Sequence, residues 1–169
     1  MKIELKNIKV YSDMSEETTA FSADIFINGR KAGYAKNDGR GGCTEHHSYP
    51  SFFETMRSAE LFIAEQPDIV YPADDIMGEL IVKSNMENWI DFQVANNQHE
   101  KHLKRLAKDM TKGICYGNSA MYSCLSWKNY TLAQLLDSPV GKQMVQTQVD
   151  KLKAKGERIL NDNLVGISL

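Results

Sequence analysis

Three cysteines, Cys43, Cys115 and Cys124, make an odd count with no Cys-x-x-Cys pair, so neither a disulfide framework nor a zinc ribbon is indicated. Long apolar runs are also missing. No stretch approaches the ~20 residues of a membrane helix, and the N-terminus alternates Lys and Glu where a secretory leader carries an apolar core. These absences predict a cytoplasmic protein with no membrane contact. Neither sign of charge dominates: 20 Lys and Arg stand against 22 Asp and Glu, a net charge of −2. That balance argues against an acidic DNA mimic and against a strongly basic nucleic-acid binder. Internal repeats and low-complexity segments are absent as well.

What is present is the composition of an ordinary soluble domain: 169 residues, 42% apolar and 25% charged, enough for one core. The expected unit is a single domain over 1–169, with a β-meander and Gly-rich loop in 1–43, a helical middle in 51–112 and a strand-helix-strand segment in 114–169.

The first part reads as strands. Phe21, Ala23, Ile25 and Ile27 alternate with Ser22, Asp24 and Asn28, a period of two broken by Phe26. Asn28-Gly29 supplies the two positive-φ positions of a type I′ turn, so the chain reverses and Ile27, Ile25 and Ala23 should face Arg30, Ala32 and Tyr34. Residues 1–11 form a further strand whose apolar phase switches after Leu5, which a bulge near Lys6-Asn7 explains. Residues 12–18 are a polar, exposed connector.

From Ser51 the period lengthens to that of a helix, with Phe52, Met56, Ala59 and Ile63 on one stripe, Phe53 beside it, and Ser51 with Glu54 fitting a capping box. Pro67 stops it. A second start is expected at Asp74 or Asp75, followed by apolar positions from Ile76 through Leu80, Val82, Met86, Trp89, Ile90 and Val94 to Leu103, Leu106 and Met110. This is one long helix or two, broken near Asn96-Asn97-Gln98, and Gly113 ends it. Residues 114–128 mix aromatic and β-branched residues around Gly117-Asn118, and Tyr122, Leu125 and Trp127 read as strand. Asp137-Ser138-Pro139 opens a helix that buries Val140, Met144, Val145, Val149 and Leu152 and closes at Gly156, and Arg158 to Asn161 reads as a last strand. The fold class is therefore α+β, with one mixed sheet and helices packed on one face.

The most distinctive motif is Asn37-Asp38-Gly39-Arg40-Gly41-Gly42-Cys43. Its glycines permit left-handed backbone and inward-turned N–H groups, so Asp38, Gly39, Arg40, Gly41 and Gly42 are a candidate anion or nucleotide site, with Arg40 as a clamp. The spacing matches neither the Walker nor the Rossmann loop. The competing reading is a conformational device that turns the chain off an edge strand.

Phe21-x-Ala23, Asn28-Gly29, Gly33 and the 37–43 motif together resemble a pattern of uncharacterised small accessory proteins of bacteriophages and mobile elements. Ile159-Leu160-Asn161-Asp162-Asn163-Leu164 is similar to their C-terminal ends. The resemblance covers the first quarter of the chain, touches the tail, and leaves the helical middle uncovered. It implies an accessory protein that binds and blocks host machinery, defence systems included, and it transfers no catalytic residue.

The histidines come in two pairs, His46-His47 and His99-x-x-His102, with Cys43 three residues ahead of the first. Cys43, His46, His47, His99 and His102 are weak candidates for a zinc site, because i, i+3 histidines share a helix face. His99-Glu100-Lys101-His102 is one residue short of the metalloprotease motif. His99 also falls in the apolar arc, where a core histidine explains it equally. A thiol nucleophile at Cys43 lacks a third partner, and Cys115 and Cys124 fit small buried hydrophobes. No enzyme and no cofactor is indicated.

Charge reverses along the helical middle. Lys101, Lys104, Arg105, Lys108 and Lys112 form a ridge opposite Leu103, Leu106 and Met110, and Lys142, Lys151, Lys153 and Lys155 add to it from the last helix. Such a ridge suits phosphate or an acidic protein surface, although a solvated helix face needs no partner. The expected function is non-catalytic binding of a host protein. The alternative is nucleic-acid or nucleotide binding through the ridge or the Gly-rich loop, and self-association is left open.

Overall fold

The computed structural model describes residues 1–73, 78–118 and 121–169. The chain divides into two compact units, one of 1–73 with 78–99 and one from residue 100 onward. Each has its own core.

In the first unit, β1 (Ile3–Val10), β2 (Phe21–Ile27), β3 (Arg30–Asn37) and β4 (Glu45–Ser48) form an antiparallel meander in that order. Asn28 and Gly29 take φ of 50° and 80°, the left-handed pair that a type I′ turn needs. Ile27 faces Arg30 as expected, but the register then slips: Ile25 faces Gly33, not Ala32, and Ala23 faces Ala35, not Tyr34. The cause is a bulge in β3 that turns both Ala32 and Ala35 into the core. Gly33 follows because a Cβ there would overlap the His47 carbonyl of β4. In β1 the ladder shifts between Lys6 and Lys9, where Asn7 has φ 53° and donates from Nδ2 to Asp24. The connector after β1 is exposed, with a short 3-10 turn at Ser12–Met14.

The inner sheet face, Phe21, Ala23, Ile25 and Ile27, packs with Met56, Ala59 and Ile63 of α1 (Phe53–Ala64) and with Met86, Ile90 and Val94 of α2 (Met86–Met110). A 3-10 turn at Pro50–Phe52 takes up Ser51, so the expected Ser51/Glu54 capping box does not form. Phe53, expected beside the buried stripe, is 61% exposed.

A pair of short strands follows α1, the first in the gap expected after Pro67 and the second in place of the helix expected through Leu80 and Val82. Ile69–Tyr71 (β5) pairs antiparallel with Leu80–Val82 (β6), because runs of β-branched and aromatic residues favour extended backbone over helix. The expected helix start at Asp74 or Asp75, and Ile76, lie outside the described residues. Helix α2 begins at Met86, with Asn85 Oδ1 accepting the Asn88 amide at 2.8 Å. It runs 25 residues without a break at Asn96-Asn97-Gln98, whose helix penalties are small.

The second unit holds the end of α2, a hairpin of β7 (Gly113–Gly117) and β8 (Tyr122–Ser126), and helices α3 (Leu132–Leu136) and α4 (Pro139–Ala154). Gly113 opens β7 and does not cap the helix; its Cβ would meet the Leu125 backbone across the ladder. Helix α3 was not apparent from periodicity, being short, and is set by a Thr131/Gln134 capping box. Ser138 caps α4 with Pro139 at its first position, and Gly156, at φ 78°, follows its end. Of the expected α4 stripe, Val145, Val149 and Leu152 are buried with Ile114, Leu132 and Leu135, while Val140 and Met144 are exposed. The expected strand at Arg158 to Asn161 reduces to a single bridge, Ile159 to Tyr116.

The α+β class holds, but the strands form three separate antiparallel sheets, not one mixed sheet. Among the described residues every strand pair joins successive strands, and no crossover connection brings two strands parallel.

Asn161 ties the second unit together. Its Oδ1 accepts the Cys115 amide at 2.6 Å, and its Nδ2 donates to the Gly113 and Met110 carbonyls at 3.0 and 3.3 Å. The side chain is buried, so its removal leaves backbone groups without partners in a place water does not reach. Asn161→Ala should lower stability by about 3 kcal/mol in urea unfolding.

Candidate functional site

The Gly-rich loop follows β3 directly, and its three central amides are engaged within the chain. Asn37 Oδ1 accepts the Gly39 amide at 2.8 Å, Asp38 Oδ1 accepts that of Arg40 at 3.2 Å, and Thr18 Oγ1 accepts that of Gly41 at 3.2 Å. Gly39 and Gly41 have φ of 85° and 82°, as the motif predicts. The nest in this region is the other way round. Three successive amides of the connector, Glu16, Glu17 and Thr18, converge on the Gly39 carbonyl at 2.9 to 3.2 Å. The amides of Gly39 to Gly41 are thus turned to the chain itself, and Arg40 is left on the exposed side.

The histidines and Cys43 are placed apart in their partners. His46 faces inward beside Ala35, with Nε2 2.8 Å from Glu60 Oε1. His47 points to the other face, stacks on Tyr34 at 4.9 Å and reaches Glu45 at 3.3 Å. His99 is exposed and so is not in the apolar arc where its wheel position put it. His102 lies 5.4 Å from the Tyr122 ring, and among the described residues its buried Nε2 has no hydrogen-bond partner. Among the described residues no three His, Cys, Asp or Glu side chains group closely enough to hold a metal ion.

Cys43 lies at the margin of a cavity of about 590 Å³, lined also by Thr18, Phe21, Tyr71, Glu87, Asp91 and Gln98. Glu87 and Asp91 come from successive turns of α2, and neither was singled out by the sequence. Thr44, buried just before β4, donates its hydroxyl to Asp91 at 2.6 Å and its amide to Glu87 at 3.1 Å. Burial holds the Asp91 carboxyl above its ordinary value against the Thr44 hydrogen bond, and Glu87 adds to the rise. Tyr71 is raised by burial and then by Asp91. The cavity wall is rich in acceptors and structurally bonded.

A second concavity lies between β4 and α1, about 480 Å³, lined by His46, His47, Ser48, Phe53, Met56, Arg57 and Glu60. β4 is the last strand of its sheet. The Tyr49 amide donates to Ala32 at 2.9 Å, which fixes the alternation: residues 45, 47 and 49 turn their backbone groups to β3, and 44, 46 and 48 turn theirs outward. Glu87 takes the outward amide of Thr44. Among the described residues the outward N–H groups of His46 and Ser48 have no partner, and Arg57 has no carboxylate within ion-pair distance. An open strand edge thus runs beside a helix that exposes Phe53 and Arg57. The sequence offered Phe53 as a near-core residue only; the signal missed was its place one step off the Met56, Ala59 and Ile63 stripe.

The basic residues Lys101, Lys104, Arg105 and Lys108 are all exposed on α2, and Lys112 is exposed in the turn that follows it. Arg105 and Lys112 share Asp109, at 3.8 and 2.8 Å, and Lys104 lies 3.8 Å from Glu100. Leu103, expected on the buried stripe opposite, is 45% exposed. From residue 100 onward eleven Lys and Arg stand against six Asp and Glu, whereas residues 1–99 carry nine against sixteen. Among the described residues no helix is long and apolar enough to cross a membrane. No family model, no curated protein and no solved structure matches the chain.

Two outcomes test this geometry. Gly39→Ala places a Cβ on the Met14 carbonyl and Ala20 at positive φ, whereas Gly29→Ala meets open space at similar φ. Urea unfolding should show Gly39→Ala costing about 2 kcal/mol or more and Gly29→Ala about 1. For Asp91, a raised folded-state value means that the native state holds its proton longer than the unfolded chain. Its contribution to stability therefore falls as pH rises from the ordinary aspartate range through the raised value. Asp91→Asn keeps the acceptor for Thr44 and removes this titration. Urea midpoints should show a smaller decline than wild type between about pH 4 and 7.

Proposed function

We propose that this is a non-catalytic binding protein that takes an extended segment of another protein along the free edge of β4, with its side chains in the groove against α1. The observation that carries the reading is the unpartnered pair of outward amides at His46 and Ser48 beside exposed Phe53 and Arg57. Strand addition supplies affinity through main-chain hydrogen bonds, and neighbouring pockets select alternate side chains. The groove suits a segment with one apolar residue for Phe53 and Met56 and one carboxylate for Arg57. In the accessory role implied by the resemblance, that segment belongs to a host protein, and occupying it blocks the host's own contact.

Selection from a displayed library of random peptides, followed by fluorescence polarisation with an enriched peptide, tests the reading. Enriched sequences should pair an apolar residue with an acid, and binding should slow amide exchange at His46 and Ser48. Phe53→Asp and Arg57→Glu, both at exposed positions, should each weaken binding by about tenfold or more. An affinity untouched by both variants overturns the site.

The basic face of α2 favours a second reading, nucleic-acid binding. Among the described residues Lys101 and Lys108 have no ion-pair partner, and Lys142, Lys151, Lys153 and Lys155 of the same unit are exposed. Under that reading Lys101→Glu with Lys108→Glu should weaken capture of a labelled oligonucleotide and flatten its steep salt dependence. Peptide binding at β4, with an apolar centre, should vary little with salt.

A further inference from the structure

In the β7–β8 hairpin Cys115 stands directly opposite Cys124. The backbone of Cys115 turns away from β8: its amide goes to Asn161 Oδ1 at 2.6 Å, and its carbonyl accepts the Leu160 amide at 2.9 Å. The pair is therefore of the non-hydrogen-bonded kind, in which Cα atoms approach to about 4.5 Å and side chains on one face come closest. A disulfide spans Cα separations of about 4.4 to 6.8 Å. Both sulfurs lie on the same face, Cys115 buried and Cys124 exposed, and Cys124 Sγ makes a long contact of 3.5 Å to the Asp109 carbonyl.

We propose that Cys115 and Cys124 form a reversible cross-strand disulfide, closed by a low-molecular-weight disulfide such as oxidised glutathione. The exposed thiol reacts first. Cys124 loses its proton and attacks one sulfur of the oxidant, whose S–S bond breaks and releases one glutathione thiolate. Cys115 then loses its proton and attacks the Cys124 sulfur, forming the protein disulfide and releasing the second glutathione. The two protein protons end on the two glutathione thiolates, so two cysteine thiols are oxidised and one small disulfide is reduced. Burial, and then the neighbouring Cys124 thiol, push Cys115 up to about 12, which makes the second step the slow one. The nucleophile and the resolving thiol are thus distinguished by exposure.

The test uses the full chain carrying Cys43→Ser, which removes the third thiol in the other unit. Equilibrated folded with oxidised glutathione and then alkylated, it should show no free thiol by intact mass, with a peptide link between Cys115 and Cys124. Adding Cys115→Ala should trap glutathione on Cys124, and adding Cys124→Ser should leave Cys115 unmodified. Circular dichroism establishes that each chain is folded during the reaction. A folded Cys43→Ser chain that keeps both thiols free, stops at a glutathione adduct on Cys124, or links only between chains overturns the proposal.

Discussion

The first unit depends on a chain of hydrogen bonds that returns the backbone from β3 to β4. Thr18 donates to Asn37 Oδ1, Asn37 Nδ2 donates to the Gly42 carbonyl and to Thr44 Oγ1, and the Thr44 hydroxyl donates in turn to Asp91 Oδ1. Every polar atom of the Asn37 amide is used. The network joins the connector, the end of β3, the start of β4 and α2, and it sits at the margin of the core, where an unmatched donor costs as much as a lost apolar contact. Because this junction positions Thr44, it also decides which β4 amides turn outward. The proposed docking edge is a consequence of that parity.

The second unit solves the same problem with a different residue. Asn161 accepts from β7 and donates to carbonyls at the end of α2 and the start of β7, so a segment with one bridge of its own is held by a side chain. That arrangement occupies the outer backbone groups of Cys115 and leaves its sulfur facing Cys124. Both units use an asparagine because its amide carries donors and an acceptor on one rigid plane.

Charge divides along the chain in a way that the near-zero total conceals. The first part is acidic and the second basic, and the two candidate surfaces rely on different forces. A strand edge with an apolar neighbour binds through backbone hydrogen bonds and desolvation, whereas a lysine face acts through screened long-range attraction. The distinction makes the two readings separable in one protein.

Local chemistry sufficed for features that a few neighbouring residues decide. The Asn28-Gly29 turn, the bulge at Asn7, the Ser138-Pro139 helix start and the left-handed glycines were legible because each is set by its own dihedral preferences. Period alone separated the strands of 21–37 from the helix after Pro50. It did not decide β5 and β6, where short β-branched runs fit either period, nor the one-residue slip at Ala32, which depends on what the core accepts. Of the candidate site, Arg40 and the basic helix face were visible as exposed charge. The Phe53 and Arg57 groove, the Thr44–Asp91 bond and the facing of Cys115 and Cys124 were not. They join residues distant in sequence, or depend on ladder parity, and only the packed backbone brings such groups within a few ångströms of each other.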